Sequence, residues 1–456
     1  MWRHCIFVLF ISAGLVRPAD PQDTIAARAV SQMEAGDFKN AAIALRRLVA
    51  QPPGRSDLWN LLGVCESELS HSAAAKDAFE KGLKLEPDSV SLNANIGNLL
   101  YRQSDYPAAK KYLTKAIALG SANPGVAFSL AASLIRIGEE QQGLALLKQL
   151  ESALADQHEY WTERGWVELR LDPPAAAATF DRALALAPDD VRALNGAASV
   201  AESQKDDEKA VSFLLRAKKA QPDDIRTLLH FGSVCLRRDL TIDALEAIEK
   251  AHKLAPDNNL ALFLYARAQI AFQQWQQSHD LFSEFDRRVP NFAQAQYALG
   301  WIDTKLNRTA EARQHLNKSL ALDPKNADAL YELGQLDLND GRTHAAEKNL
   351  HAALSIVPEH AKANTAMGDV LARRGDLPAA KARYEAAIAA DPKLGPAHYK
   401  LSMVLTRLHD NEGAERERTL GATLNAEATK ASKTVLVLTD PDGRLLSGVK
   451  TKDDQP

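Results

Sequence analysis

The chain has 456 residues, of which 46% are hydrophobic, 6% aromatic and 25% charged, and its formal net charge is −4. This balance is ordinary for a folded protein, and it predicts neither a nucleic acid nor an acidic membrane surface as a partner. Three cysteines occur, Cys5, Cys65 and Cys235. We expect Cys65 and Cys235 to be small buried side chains rather than redox or metal-binding groups.

The N-terminal segment has the layout of a secretory signal. Arg3 precedes an apolar run over residues 5–16, and small residues follow. An apolar run of this length is too short to cross a bilayer comfortably. We therefore expect residues 1–19 to be a cleaved signal peptide, which leaves an exported, periplasmic or secreted protein without an integral membrane span. An uncleaved N-terminal anchor is the alternative.

A proline recurs every 34 residues through the second half of the chain. Proline cannot continue a helix because it lacks the N–H and clashes with the preceding turn, so it marks a loop. These prolines are Pro188, Pro222, Pro256, Pro290, Pro324, Pro358 and Pro392. Within each unit, position 8 is small, position 20 is almost always alanine, and position 24 is large and apolar. The pattern predicts paired helices, with position 24 filling the space between one hairpin and the next.

Residues 56–88 form the clearest unit. Its marks are Trp59, Leu62, Gly63, Ala75, Phe79 and Pro87. They resemble the tetratricopeptide repeat (TPR), which has the pattern W-x2-L-G…A-x3-F…P and the same period. Glu66 stands where that family has an aromatic residue. The resemblance implies an all-α, right-handed superhelical solenoid of antiparallel helix pairs, with twelve repeats that start at 22, 56, 90, 124, 157, 191, 225, 259, 293, 327, 361 and 395.

The fourth and fifth repeats fit the pattern poorly. The fourth has Gly143 at position 20 and no closing proline, and the fifth is one residue short, with two prolines from Pro173 in its inter-helix turn. We therefore expect a seam over 140–175, which is either a change of superhelical pitch or a hinge. It divides repeats 1–4 (22–156) from repeats 5–12 with a capping helix (157–428).

The tail, residues 429–456, changes period. The stretch 433–450 alternates in polarity around Asp440-Pro441-Asp442-Gly443, where proline presets φ and glycine accepts a positive φ. This predicts a short C-terminal β-hairpin. Because an isolated hairpin is marginal in water, it must dock on the last helices, pair with another chain or stay partly disordered.

Catalytic and metal-binding motifs were sought by their spacing. The sequence contains no H-E-x-x-H, G-x-S-x-G, G-x-x-x-x-G-K-[ST] or G-x-G-x-x-G motif. His344 and His351 lie seven residues apart with no third ligand in view. We therefore expect no catalytic residue, no metal site and no cofactor, and we expect that the chain is not an enzyme.

Two specialised kinds of TPR array were weighed. Some form the front half of a glycosyltransferase and carry asparagines at position 6 of successive repeats, which this chain does not do. Others bind the C-terminal carboxylate of a chaperone through Lys, Asn and Arg on three successive repeats. Asn60, Asn98 and Arg136 match that arrangement only in part, and an exported protein would not meet a cytosolic chaperone.

In the TPR family, positions 2, 5, 9, 12 and 13 of the first helix point into the concave face. These positions supply aromatic and arginine side chains, which often anchor interfaces. The candidate peptide-binding residues are Trp161, Arg192, Arg226, Arg237, Phe263, Arg267, Tyr297, Trp301, Tyr331 and Tyr399. Tyr297, Trp301 and Tyr331 belong to adjacent repeats, so we expect them to lie close together. Alternatively, the rings pack against neighbouring hairpins and the arginines form a solvated face.

The sequence therefore predicts a non-catalytic TPR scaffold that binds a protein or an extended peptide in the cell envelope or outside the cytoplasm. One alternative is an accessory or assembly subunit of an envelope secretion, pilus or polysaccharide-export machine, in which the tail hairpin adds a strand to a partner's sheet. Another is the non-catalytic TPR part of an enzyme complex.

Overall fold

The computed structural model describes residues 21–52 and 54–430. The chain divides into two compact blocks between Gln221 and Pro222. They are called the N-terminal block and the C-terminal block below, and each is described by itself. Every regular element of the described residues is an α-helix. The predicted hairpin over 433–450 lies outside the described residues.

Paired helices make up both blocks. The N-terminal block contains α1 (Pro21–Glu34), α2 (Phe38–Val49), α3 (Ser56–Glu68), α4 (Ser72–Leu85), α5 (Val90–Arg102), α6 (Tyr106–Ala118), α7 (Pro124–Arg136), α8 (Glu140–Gln149), α9 (Glu151–Leu154), α10 (His158–Leu171), α11 (Pro173–Leu186), α12 (Val191–Ser203) and α13 (Asp207–Ala220). The C-terminal block contains α14 (Ile225–Arg237), α15 (Thr241–Leu254), α16 (Asn259–Ala271), α17 (Trp275–Arg288), α18 (Ala293–Lys305), α19 (Thr309–Leu322), α20 (Ala327–Asn339), α21 (Thr343–Ile356), α22 (Ala361–Arg373), α23 (Leu377–Ala390), α24 (Gly395–Arg407) and α25 (Asn411–Lys430). Apart from α1 and α10, the first helix of each repeat begins at the residue that the sequence pattern predicts. The all-α fold of helix pairs is confirmed.

Each pair closes where a small residue faces a large one. A Cβ atom on Gly63 would lie 2.4 Å from the ring of Phe79, which belongs to the second helix of the same repeat. Phe180 lies against Gly165 of its own repeat and also against Gly196 of the next repeat. The large residue at position 24 therefore packs first inside its own hairpin. Phe180 also fills the space toward the next hairpin, as the sequence pattern predicts, and the glycine at position 8 adds the contact inside its own hairpin.

The turn between the paired helices has a recurring backbone conformation at position 15. A residue with positive φ at this place ends the first helix and lets the chain reverse. Four of these residues are glycine, Gly36, Gly138, Gly341 and Gly375, and the others are Ser70, Ser104, Lys205, Asp239, Gln273, Asn307 and His409. A residue other than glycine is strained by about 1 kcal/mol in this left-handed conformation, so each of the seven turns without glycine slightly lowers the free energy of unfolding.

Buried carboxylates at position 11 tie consecutive hairpins together. Glu66 on α3 is 1% exposed and accepts Arg46 of the preceding repeat at 2.6 Å. Asp337 on α20 is 3% exposed. It accepts Arg313 Nη1 of the preceding repeat at 2.7 Å and Asn349 Nδ2 of its own repeat at 2.9 Å. A carboxylate that replaces the aromatic residue of the TPR pattern thus forms a charge-assisted contact between repeats.

The region of the predicted seam has irregular helices. The second helix of the fourth repeat, α8, has only ten residues and is followed by the four-residue helix α9. The two prolines from Pro173 lie in the first turn of α11, where the missing N–H costs nothing. A hinge over 140–175 stays a prediction, and the two compact blocks meet further along the chain, at residue 221.

Candidate functional site

Two of the predicted binding residues lie in the N-terminal block, and both contact their own chain. Trp161 is 3% exposed, and its Nε1–H donates to the carbonyl of Ala155 at 2.8 Å. Arg192 is exposed, but its Nη2 donates to Glu163 at 2.9 Å. Burial opposes ionisation of Glu163, yet the charges of Arg136 and Arg192 outweigh it and lower the pKa of this carboxyl. Arg192 is therefore one of three charged side chains, with Glu163 and Arg136, that form an internal ion cluster.

Phe263 lies in the core of the C-terminal block. It is 1% exposed, and its ring centroid is 5.4 Å from that of Phe282, 5.1 Å from that of Phe285 and 5.6 Å from that of Phe292. These edge-to-face and tilted contacts are those preferred by buried aromatic rings. In this structure Phe263 packs the core and offers a partner no ring surface.

Tyr297 and Tyr331 occupy the same position of adjacent repeats, on α18 and α20, and Trp301 lies one turn beyond Tyr297. Tyr297 is 6% exposed and Trp301 8% exposed, whereas Tyr331 is half-buried. Gln335 Nε2 donates to the hydroxyl of Tyr331 at 3.1 Å, and Lys305 Nζ lies 4.8 Å from the Trp301 ring. Tyr331 and Trp301 thus contact neighbouring side chains, and the exposed surface of all three rings lies on the first helices of repeats 9 and 10.

The phenols of Tyr297 and Tyr331 share one electrostatic environment. Burial, and then the charge of Glu332, raises the pKa of Tyr331 to about 12. Burial, followed by Asp328, Glu332 and Tyr331, raises the pKa of Tyr297. The structure therefore brings these two tyrosines and two carboxylates of α20 close enough to influence one another. We call the surface of α16, α18, α20, α22 and α24 that carries positions 5, 6 and 9 the first-helix surface.

Glu332, at position 6 of α20, is a half-buried acid on this surface. Burial raises its pKa to about 7, against the opposing charges of Lys305 and Lys362. Asp328 differs, because it accepts His360 Nε2 at 3.1 Å. Within the described part of the chain, the carboxylate of Glu332 makes neither a hydrogen bond nor an ion pair.

Three predicted arginines lie on the first helices of repeats 7 and 8. Arg226 and Arg237 are exposed on α14, and Arg267 is half-buried on α16. Burial, and then the charge of Arg237, lowers the pKa of Arg267. Among the described residues, none accepts a hydrogen bond from Arg267 or pairs with it. Arg267 is a cation that is partly removed from water without a counter-charge.

The last repeat presents exposed apolar side chains. Tyr399 is 48% exposed at position 5 of α24, and Met403 is 51% exposed one turn further on. Large aromatic residues and methionine are enriched where proteins bind partners. Met403 was not among the predicted residues, although its place at position 9 was a signal for it. Glu332 was not predicted either, because position 6 is not among the concave positions 2, 5, 9, 12 and 13.

The protein families that match this sequence are families of helical repeats, in agreement with the fold. Sequence signatures described as tetratricopeptide repeat match residues 26–90, 66–124, 162–225 and 337–408, and one described as TPR repeat matches 300–341. Together they cover more than half of the chain. The chain belongs to the tetratricopeptide repeat family. These signatures describe protein-binding repeats, and none of those matched is an enzyme family.

Curated relatives of this TPR protein match over short stretches. Protein FlbA of Caulobacter vibrioides is 24% identical over 164 residues, which are 36% of this chain and 28% of the relative. Type IV pilus assembly protein PilF of Pseudomonas aeruginosa is 27% identical over 116 residues, which are 25% of this chain and 46% of the relative. The chain thus spans less than half of the length of either relative.

Among solved structures, a chain of the APC/C hetero-tetramer Cut9–Hcn1 aligns with 91% of this chain and with 95% of its own length. The TM-score is 0.51 and the sequence identity 13%, so the likeness concerns the fold. Among the described residues, no three His, Cys, Asp or Glu side chains are grouped to hold a metal ion. Over the same residues, no helix combines the length and the hydropathy needed to cross a membrane.

Proposed function

We propose that this TPR protein is a non-catalytic scaffold that binds an extended segment of a partner protein along the first-helix surface of the C-terminal block. The observation that carries the proposal is the tyrosine at position 5 of repeats 9, 10 and 12, which is Tyr297 on α18, Tyr331 on α20 and Tyr399 on α24. Tyrosine supplies contact area at a low cost in conformational entropy, and its hydroxyl can bond to a peptide backbone. Spaced rings suit an elongated ligand better than a compact one.

The test needs the partner, which crosslinking and mass spectrometry in the producing cells would identify. Affinity is then compared between the unaltered chain and two variants, Tyr331→Ala and Tyr399→Ala. The control is Ile242→Ala, because Ile242 is 73% exposed on the second helix of its repeat, α15. We expect each tyrosine variant to weaken binding about tenfold or more, as for an interface anchor. Equal affinities of all four proteins would remove the first-helix surface as the binding site.

We further propose that the protein acts outside the cytoplasm. The support is the leader in residues 1–19, with Arg3 before an apolar run. N-terminal sequencing of the protein purified from its natural host tests this. A mature end between about residues 12 and 20 is expected from the position of the small residues. An intact Met1 in a cytoplasmic fraction would contradict export.

A second candidate function is an accessory or assembly subunit of an envelope machine. It is favoured by the similarity to PilF, a type IV pilus assembly protein, and by the alternating tail sequence around Asp440. In that case the tail would add a strand to a partner's sheet. Deleting 433–456 discriminates between the two candidates. Loss of partner binding with unchanged helical content supports the assembly role, and unchanged binding counts against it.

A further inference from the structure

Two half-buried charges of opposite sign lie on the first-helix surface of the C-terminal block. Arg267 is at position 9 of α16, and Glu332 is at position 6 of α20, two repeats further on. Neither makes a hydrogen bond or an ion pair to another residue of the described chain. Neither has a polar atom that is fully enclosed without a partner, so both charged ends still reach the surface.

Charges that are partly removed from water are normally paired in folded proteins, because desolvation without a partner is costly. The neighbours of Glu332 do not offset the cost of removing its carboxylate from water. Lys305 on α18 and Lys362 on α22 influence its charge only from beyond ion-pair distance. The closer acid on its own helix, Asp328, is already bonded to His360. The two tyrosines at position 5, Tyr297 and Tyr331, lie near enough to feel the charge of Glu332, and neither neutralises it.

The surroundings of Arg267 disfavour its positive charge, just as those of Glu332 disfavour a negative one. Its charged neighbour is another cation, Arg237 on the adjacent first helix α14. An anion between α14 and α16 would relieve this repulsion and would bond to a guanidinium, which is well suited to a carboxylate.

From these two positions we infer that the bound segment carries an acidic side chain that pairs with Arg267 and a lysine or arginine that pairs with Glu332, about six residues apart in an extended peptide. The inference rests on the proposed function, since it specifies the partner of the same surface. A helix with its side chains is about 10 Å across, so two repeats separate α16 from α20 by about 20 Å. An extended chain rises about 3.3 Å per residue, which gives the spacing.

The aromatic residues fit this partner. A lysine or arginine at Glu332 would lie beside Tyr297 and Tyr331, where ring faces attract a cation. Its charge-assisted bond would form in a partly dry place, where such bonds are strong. The pair of charges would also fix the direction of the bound peptide, because reversing it would place like charges together at both ends.

The test uses the full mature chain and fluorescent peptides of about twelve residues, long enough to span both charges. Each peptide has one glutamate and one lysine in a neutral background with one tyrosine, at separations from about three to about nine residues and in both orders. We expect the tightest binding at a separation of about six residues, in one of the two orders, and about tenfold weaker binding when either charge is replaced by glutamine. Affinity that is independent of charge and spacing would overturn the inference.

A charge-reversed variant, Arg267→Glu with Glu332→Lys, sharpens the test. It should prefer the peptide in which glutamate and lysine have exchanged places. The matched control, Lys348→Glu with Glu311→Lys, reverses two exposed charges on the second helices α21 and α19 and should keep the original preference. An unchanged preference in the variant would overturn the inference.

Single variants guard against a loss of folding in the double variant. Arg267→Gln and Glu332→Gln should each remove the benefit of one peptide charge only, and circular dichroism reports whether the helices are intact. The outcome separates the two proposals. If neutral tyrosine peptides bind, Tyr331→Ala weakens them and the charges have no effect, the scaffold proposal stands and this inference fails. If no peptide binds and Tyr331→Ala leaves the natural partner bound, both fail.

Discussion

Replacing Glu332 by glutamine should stabilise the protein, and the gain should depend on pH. Burial raises the pKa of Glu332 from 4.5 to about 7. Below 4.5 the side chain is protonated in both the folded and the unfolded chain, so its charge costs nothing. The cost grows as pH rises from 4.5 to 7 and is complete above 7, because the unfolded chain then ionises more easily than the folded one.

The size of this effect follows from the pKa difference. Each factor of ten in proton affinity corresponds to about 1.4 kcal/mol, so keeping the carboxylate ionised costs the folded state about 3 kcal/mol above pH 7. Glutamine keeps a polar amide in the same place, which retains part of that cost. We therefore expect Glu332→Gln to raise the free energy of unfolding of the C-terminal block by about 1–3 kcal/mol at pH 8 and by less than about 0.5 kcal/mol at pH 4.5.

Urea denaturation followed by circular dichroism at both pH values measures this difference. The control is Glu311→Gln, since Glu311 is exposed on α19 and should give no gain at either pH. A gain of equal size at the two pH values would show that it does not come from ionisation. A loss of stability at pH 8 would refute the reasoning, because it would mean that Glu332 has a favourable partner.

The remaining predictions concern the fold. Asp337→Ala should lower the free energy of unfolding by about 3–5 kcal/mol, because it leaves Arg313 without its buried partner. Asp340→Ala removes an exposed contact of the same arginine and should cost at most about 1 kcal/mol. Urea titrations measure both values. Ala346→Phe should overpack a hairpin and lower the free energy of unfolding by about 1–3 kcal/mol. Lys348→Phe, on the exposed side of the same helix, should change this free energy little. Equal thermal stability of the two variants would show that the repeat register is misassigned. Lys205→Gly should raise the free energy of unfolding by about 1 kcal/mol, because φ is 60° at Lys205, and a loss of stability on calorimetry would contradict this.

The repeat architecture was predictable because its signals are local and periodic. A proline follows most of the second helices, and a small residue at position 8 faces a large one at position 24, as Gly63 faces Phe79. These marks depend on neighbours within one repeat, and the repetition removes ambiguity about where each helix begins. The same signals do not say which gap the large residue fills, so its packing inside its own hairpin emerged only from the structure.

Burial at the binding positions was not predictable from the period. Phe263 and Tyr399 both occupy position 5 of a first helix, yet one is 1% exposed and the other 48% exposed. Periodicity indicates which side of a helix a residue is on, whereas its depth depends on the neighbouring repeats. Around Phe263 three phenylalanines close over the ring, Phe282, Phe285 and Phe292, and they come from other elements of the chain.

The partners of the acids at position 11 were also not predictable from the repeat pattern. In the sequence, Glu66 stands out only as a departure from the TPR pattern. Its partner Arg46 lies on the second helix of the preceding repeat, so a pattern confined to one repeat cannot pair them. In repeat 9, Asp303 is fully buried with His315 Nδ1 at 2.8 Å and His279 Nε2 at 3.4 Å. The scattered histidines of the sequence thus include two that contact a buried acid.

The central claim is that the partner lies on the first helices of the C-terminal block. Site-specific photo-crosslinking in the producing cells tests it most directly, with the reactive residue placed at Tyr331 or Tyr399 on the first-helix surface, or at Ile242 or Lys348 on second helices. We expect positions 331 and 399 to crosslink to neighbouring parts of one extended segment of the same partner, and positions 242 and 348 to give no crosslink to it. Crosslinks to the partner only from 242 and 348 would contradict it.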